Sequence, residues 1–151
     1  MEVTSYIYDF LMAKGDNDTI RKYNLEPFQV KVLSIERTFI DKVFALGDYY
    51  LTKNVEGHSR HIYDLHMLFP EVSFNDKFKK LVSEVREIGM PHSSCYSVQD
   101  GVNLKELLQK IVSEDFYKSD YNEMTQTILF EAIAYEESID TVKKIISKFP
   151  F

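Results

Sequence analysis

Residues 34–51 read SIERTFIDKVFALGDYYL, and the spacing of their apolar side chains sets the class of the whole chain. Phe39, Ile40, Val43, Phe44 and Leu51 recur at helical intervals, while Glu36, Arg37, Asp41 and Asp48 form a polar face. That pattern is an amphipathic helix, opened by Ser34 and Glu36. Gly47 is a weak spot inside it and does not mark a clear end.

Upstream, Phe28 to Ile35 sets Val30, Val32 and Ile35 against Gln29 and Lys31, the alternation of a β-strand after Pro27. A lone strand is unstable, so it needs a partner. The opening MEVTSYIYDFLMAKGDND reads as a short extended stretch and then a helix begun by Ser5 and stopped at Gly15, with a turn through Ile20 and Tyr23 following. Downstream, a helix from about Ser59 to Phe69 stops before Pro70, and another spans Asn75 to Ile88 with Phe78, Leu81, Val82, Val85 and Ile88 on one face. A loop covers Gly89 to Gly101. Capping boxes at Asn103 with Glu106 and at Asp120 with Glu123 announce further helices, the last from about Asn122 to Lys148 with a break near Ser138. The expected fold is mainly α (α+β), a helical bundle of about five to six helices with a small β element near the N-terminal side.

The chain has 151 residues, which predicts a single domain, 1–151, with one core. Apolar residues make up 44% and aromatics 14%, which excludes a disordered chain. The net charge of −6 excludes a generic electrostatic nucleic-acid binder, leaving room only for a local basic pocket. Cys95 is the only cysteine and cannot form an intramolecular disulfide, and no signal peptide or long apolar segment is visible. Those features predict a cytoplasmic protein with no membrane partner.

The densest chemistry is HSRHIYDLHML, residues 58–68. His58, His61 and Asp64 are metal-ligand types, but on a helix the third lies about 240° around from the first, so no metal site is expected. The simpler account is an exposed Arg60–Asp64 ion pair one turn apart, with Ile62, Leu65 and Phe69 facing the core. Cys95 near His92 has no third group to orient a thiol nucleophile. Asp16 to Asp18 sit where a turn favours Asp and Asn, and Asp115, Asp120 and Glu123 suit capping and solvation better than catalysis. Lys42 stands at the border of the polar and apolar faces of its helix, where a lysine either snorkels or presents a compact charge to phosphate, with Arg37 and Arg60 as helpers.

Two stretches acquire meaning together: Arg37-Thr38-Phe39-Ile40-Asp41-Lys42-Val43-Phe44-Ala45-Leu46 and, about twenty residues on, Arg60-His61-Ile62-Tyr63-Asp64-Leu65. In order and spacing they resemble the third and fourth motifs of the AbiEii/AbiGii-type nucleotidyltransferase toxins, a branch of the DNA polymerase β-like nucleotidyltransferase superfamily. The resemblance implies that Lys42 contacts the triphosphate of an NTP and that Asp64 is an essential active-site acid. Arg37 and Arg60 would contact phosphate or support the site. It implies nucleotide transfer to an acceptor, with RNA as an acceptor class, using Mg²⁺ to bridge phosphates, with nothing held tightly in the resting protein. It also implies a toxin–antitoxin or phage-defence setting in which an antitoxin restrains activity.

The same family places a Gly-Ser phosphate turn and an acidic pair on a strand ahead of these motifs. Neither occurs here. The chain is therefore expected to resemble the C-terminal half of such an enzyme, inactive without a separate N-terminal catalytic half. The alternative is a non-catalytic interaction module or homo-oligomeric remnant, in which an unpaired strand at Val30 to Leu33 recruits another chain.

Overall fold

The computed structural model of the chain describes residues 1–129 and 131–151, so residue 130, within the last region expected to be helical, lies outside the described residues. The chain divides into two compact units, Met1–Leu33 and Ser34–Phe151. In the first, β1 (Glu2–Val3) pairs antiparallel with β2 (Phe28–Gln29), Glu2 opposite Gln29 and Val3 opposite Phe28. Between them lie α1 (Tyr6–Lys14) and α2 (Asn17–Lys22). Ser5 caps α1 by accepting from the Tyr8 N–H, and Gly15 ends it at φ 73°, where a Cβ would be strained.

Two expectations change in this unit. The strand foreseen from Phe28 to Ile35 is only two residues long. Ser5 turns its partner into α1 after Val3, and Ser34 already caps the next helix, so Ile35 is helical. The unpaired edge foreseen at Val30 to Leu33 is not strand among the described residues, and Val30 itself exchanges hydrogen bonds with Met1 in both directions. The turn through Ile20 is instead α2, whose N-terminus is capped by Asp16 accepting from Thr19 N–H and Oγ1–H. These bonds, led by the one from the Thr19 side chain, hold the Asp16 carboxyl below its usual range. That is the backbone role foreseen for the acidic turn, exercised on a helix.

The second unit is helical throughout: α3 (Ile35–Leu51), α4 (Arg60–Leu68), α5 (Asp76–Gly89), α6 (Leu104–Ser113), the short α7 (Lys118–Asp120) and α8 (Gln126–Ile128), and α9 (Tyr135–Lys148). Across both units, six helices of nine residues or more are present among the described residues, and the protein is mainly α with one small antiparallel sheet near its N-terminus. None is long and apolar enough to cross a membrane among the described residues.

Helix α3 is the axis of this unit, packing on α4, α5 and α6. Its residues Phe39, Ile40, Val43 and Leu46 are completely buried. Phe39 meets Phe74 edge-on at 5.9 Å, and Phe78 meets Phe149 the same way at 5.9 Å, a packing mode aromatic rings favour. Gly47 lies inside α3 because a neighbour needs the space: a Cβ there would stand 2.8 Å from Ser97 Cβ and 2.9 Å from Leu104 Cδ1. Ser97, in a 3₁₀ turn at Tyr96–Val98 within the Gly89–Gly101 loop, is thereby brought close enough to donate from Oγ to Phe44 O and from N to Asp48 Oδ1.

Helix α5 buries Phe78, Val82 and Val85 as expected, but Ile88, near its C-terminal end, is exposed. The Asn103 box forms, with Asn103 accepting from the Glu106 N–H and donating to its carboxylate. The Asp120 box does not form, since Asp120 lies at the end of α7 and continues into a π turn at Tyr121–Thr125. The interruption of the last helical region comes after Ile128, and the chain resumes as α9 at Tyr135. Ser138 is instead buried in α9 against the Tyr121 hydroxyl, at 2.9 Å, so no break occurs there.

Candidate functional site

The loop from α3 to α4 decides where Asp64 stands. Helix α4 has no side-chain cap of its own, because the Ser59 hydroxyl is committed to Thr125 Oγ1 at 2.6 Å. Its place is taken by Asp120, whose two carboxylate oxygens accept from the Gly57 N–H at 2.8 Å and the Ser59 N–H at 3.2 Å. Asp120 is only 8% exposed, and its negative charge meets the positive end of α4. Ile62 and Leu65 then bury completely, in a helix that packs between α3 and α9, which turns Asp64 back toward α3.

On α3, Lys42 reaches across to meet it. Lys42 Nζ donates to Asp64 Oδ2 at 2.6 Å, joining residues 22 positions apart in sequence. The side chains are 22% and 33% exposed, so the pair is open to solvent on one side. The ion pair expected between Arg60 and Asp64 is absent among the described residues, because the carboxylate faces α3 and the Lys42 ammonium is the cation there. Arg60 is exposed at the start of α4, near enough that its charge is felt at both His58 and His61.

Arg37 is placed elsewhere. Its Nε donates to both oxygens of Asp41, at 2.9 and 3.1 Å, and it lines a cavity of about 320 Å³ with Asp41, Phe44, Asp48, Val85 and Cys95. Five residues along a helix turn the side chain about 140° away from Lys42. In that cavity burial pushes the Asp48 carboxyl up, against the hydrogen bond from Ser97 that opposes it. His92 and Cys95 line the same cavity, and the Cys95 thiol is free.

Near the Lys42–Asp64 pair stand Tyr49, which sequence reasoning missed, and His58 and His61, which it weighed only as metal-ligand types. Tyr49, two turns along α3 from Lys42, stacks on His58 with ring centroids 3.5 Å apart and planes within 11°. Its ring also runs parallel to that of His61, at 5.6 Å and 7°. His61 Nδ1 stands 3.9 Å from Asp64 Oδ2. Burial, followed by the Lys42 charge, pushes the His61 imidazole down to about 4 against the pull of Asp64, so it is neutral near pH 7. His58 is lowered too, by burial and then by Arg60. The spacing of Tyr49 from Lys42 on one helical face was a usable signal for its position. Asp120 was legible only as a cap for its own helix, and nothing local in the sequence pointed to Gly57 and Ser59 as its partners.

The charges define what this corner can accept. Lys42 and Arg60 are positive, Asp64 and Asp120 are negative and His61 is neutral, so it is the part-exposed Lys42 ammonium, rather than a net charge, that could meet an anion such as a phosphate. A Mg²⁺ ion is not matched by these residues. Among the described residues Asp64 is the one carboxylate paired with Lys42, and its Oδ2 already accepts from the ammonium, while Asp120 is spent on the Gly57 and Ser59 N–H groups just ahead of α4. Among the described residues no three His, Cys, Asp or Glu side chains converge as metal ligands.

No curated protein and no solved structure was found to match this chain. The model of the family described as "Nucleotidyl transferase AbiEii toxin, Type IV TA system" matches residues 1–144. With nearly its whole length matched, the chain belongs to the AbiEii nucleotidyl transferase toxin family of type IV toxin–antitoxin systems.

Proposed function

We propose that this chain supplies the nucleotide-contacting helical part of a nucleotidyltransferase, with Lys42 gripping the triphosphate of an NTP and Asp64 serving the acceptor. The observation that carries this reading is the 2.6 Å contact between Lys42 Nζ and Asp64 Oδ2. An ammonium has three N–H donors, so one can hold Asp64 while the others reach phosphate oxygens. Asp64 Oδ1 has no hydrogen-bond partner among the described residues and can take the proton of an acceptor hydroxyl. The acceptor oxygen then bonds the α-phosphorus as pyrophosphate departs. RNA is the acceptor class we favour, and a cognate antitoxin is the partner that restrains the reaction in a phage-defence role. Of the two arginines, Arg60 would be the one to assist Lys42, and Arg37 would support α3 through its bond to Asp41.

Competence, in this reading, requires a Gly-Ser phosphate turn and an acidic pair that these residues do not provide. The two short strands, Glu2–Val3 and Phe28–Gln29, carry no acidic pair, which supports the dependence on a further nucleotidyltransferase segment. Incubating the chain with each radiolabelled NTP and an RNA pool tests both statements. We expect no product from the chain alone, product when a segment bearing those two motifs is added, and loss of that product in Lys42→Ala. Efficient transfer by the chain alone that Lys42→Ala abolishes would overturn the dependence. Transfer unaffected by Lys42→Ala would overturn the site.

A further inference from the structure

Two nitrogens converge on one oxygen. Asp64 Oδ2 stands 2.6 Å from Lys42 Nζ and 3.9 Å from His61 Nδ1. The first is a formed, charge-assisted bond, and the second is about 1 Å too long to be one. Yet His61 Nδ1 is buried with no hydrogen-bond partner, a condition that native interiors rarely tolerate without a reason. The ring is also not free to look elsewhere, since it lies parallel to Tyr49 in a three-ring stack with His58.

We propose that His61 is a positioning residue, the standby donor to Asp64. When Lys42 leans toward a phosphate oxygen, the His61 Nδ1–H closes onto Asp64 Oδ2 and holds the carboxylate in place. The proposal rests on the reading of Lys42 as the triphosphate contact. It accounts for the unpaired nitrogen, which waits for a carboxylate that Lys42 currently holds. It also accounts for the need, because a part-buried carboxylate deserted by its ammonium would otherwise lose its orientation as well as its partner.

A neutral donor suits the task. An imidazolium beside Asp64 would stabilise the carboxylate so strongly that it could no longer accept a proton, whereas a neutral N–H orients it and leaves its basicity largely intact. The surroundings enforce neutrality: burial above all, and then Lys42 from α3, Arg60 from α4 and His58 from the preceding loop, disfavour the charged ring, and Asp64 alone favours it. His58 has a similarly unpaired Nδ1 but makes no ion pair with a carboxylate among the described residues, so the role falls to His61.

Long-range ¹H–¹⁵N correlation spectra of the full chain, labelled at histidine and lysine nitrogens, test this in two arms. In Lys42→Met the ammonium is gone for good. His61 Nδ1 should then show the shift of a protonated, hydrogen-bonded nitrogen, and the ring's titration midpoint should rise from about 4 by roughly one pH unit. Both changes should vanish when Asp64→Asn is added. An unaltered Nδ1 shift and midpoint in Lys42→Met overturn the proposal, and Lys42→Gln gives the same comparison if the methionine variant does not fold.

The second arm adds inorganic tripolyphosphate to the wild-type chain. Movement of both the Lys42 Nζ and the His61 Nδ1 signals supports the exchange. Movement of Lys42 with His61 unmoved overturns the proposal and leaves the phosphate reading intact. An unmoved Lys42 alongside a positive Lys42→Met result overturns the phosphate reading and supports the donor role of His61.

Discussion

Removing the Asp120 carboxylate should loosen α4 from a distance of 61 residues. Asp120 accepts from the Gly57 and Ser59 N–H groups and substitutes for the cap that α4 lacks. In Asp120→Ala both donors are stranded. Ser59 is fully buried, so its N–H pays the full desolvation cost of about 1–3 kcal/mol, while Gly57 is half-exposed and recovers part of its loss from water, leaving about 1 kcal/mol. The charge at the positive end of α4 adds about 0.3–1 kcal/mol. The sum, about 2–5 kcal/mol, is a large share of the 5–15 kcal/mol typical of a domain, but not all of it. Asp120→Asn keeps one acceptor for Gly57 and turns an NH₂ toward the Ser59 N–H, for a loss of about 1–3 kcal/mol. Urea unfolding gives the total, and amide exchange at Gly57 and Ser59 locates it. An Asp120→Ala chain within about 0.5 kcal/mol of wild type, with Ser59 still protected, would refute the trans cap.

Gly47→Ala should lower the melting temperature: the helix gains about 1 kcal/mol from losing a glycine, but a Cβ 2.8 Å from Ser97 Cβ costs about 1–3 kcal/mol of overpacking, and a rise would contradict this account. A double-mutant cycle with Lys42→Met and Asp64→Asn should give a coupling of about 1 kcal/mol in urea titrations, since the pair is well aligned but open to water on one side. Additivity within about 0.3 kcal/mol would mean the contact is not formed in solution. Acid should weaken the fold through His61. Its midpoint is about 4 when folded and near 6.5 when unfolded, so between those values the unfolded chain binds the extra proton and stability falls as pH falls, by up to about 3 kcal/mol. His61→Gln should flatten that part of the urea-midpoint profile, leaving the smaller contribution of His58, and an equally steep profile would show that His61 does not titrate as described.

What could be read from the residues alone follows the range of the forces involved. Ser5, Ser34, Asn75 and Asn103 act on N–H groups three residues on, and each opens the helix foreseen for it. Apolar spacing likewise identified α3, α4 and α5 as helices with buried faces. The motif resemblance paired Lys42 with Asp64, and the structure brings them to 2.6 Å. The misreadings occur where a partner is distant. Asp120 and Glu123 have the letters of a capping box, but Asp120 is drawn instead to Gly57 and Ser59. Val30, Val32 and Ile35 have the alternation of a strand, but pairing ends where Glu2–Val3 ends and Ser34 starts α3. Arg37 shares a motif with Lys42 but not a face.

This difference of range bears on how the site is built. Helix α4 has nine residues, below the roughly 12–15 that sustain an isolated helix in water, and no cap of its own. Its order comes from α3 and α9, against which Ile62 and Leu65 bury, and from Asp120. Residues 34–68 contain both motifs yet lack α9 and Asp120, so a peptide of that span should be helical in α3 at most and should leave Asp64 unpaired. Circular dichroism of the peptide, with Lys42 and Asp64 side-chain resonances followed by NMR, reads this directly. A peptide with a persistent Lys42–Asp64 contact would mean that the motifs position themselves, and that the Asp120 cap is incidental to the site. Loss of the contact would place the control of Asp64 in the helices and cap that follow residue 68, outside the stretch that carries the chemistry.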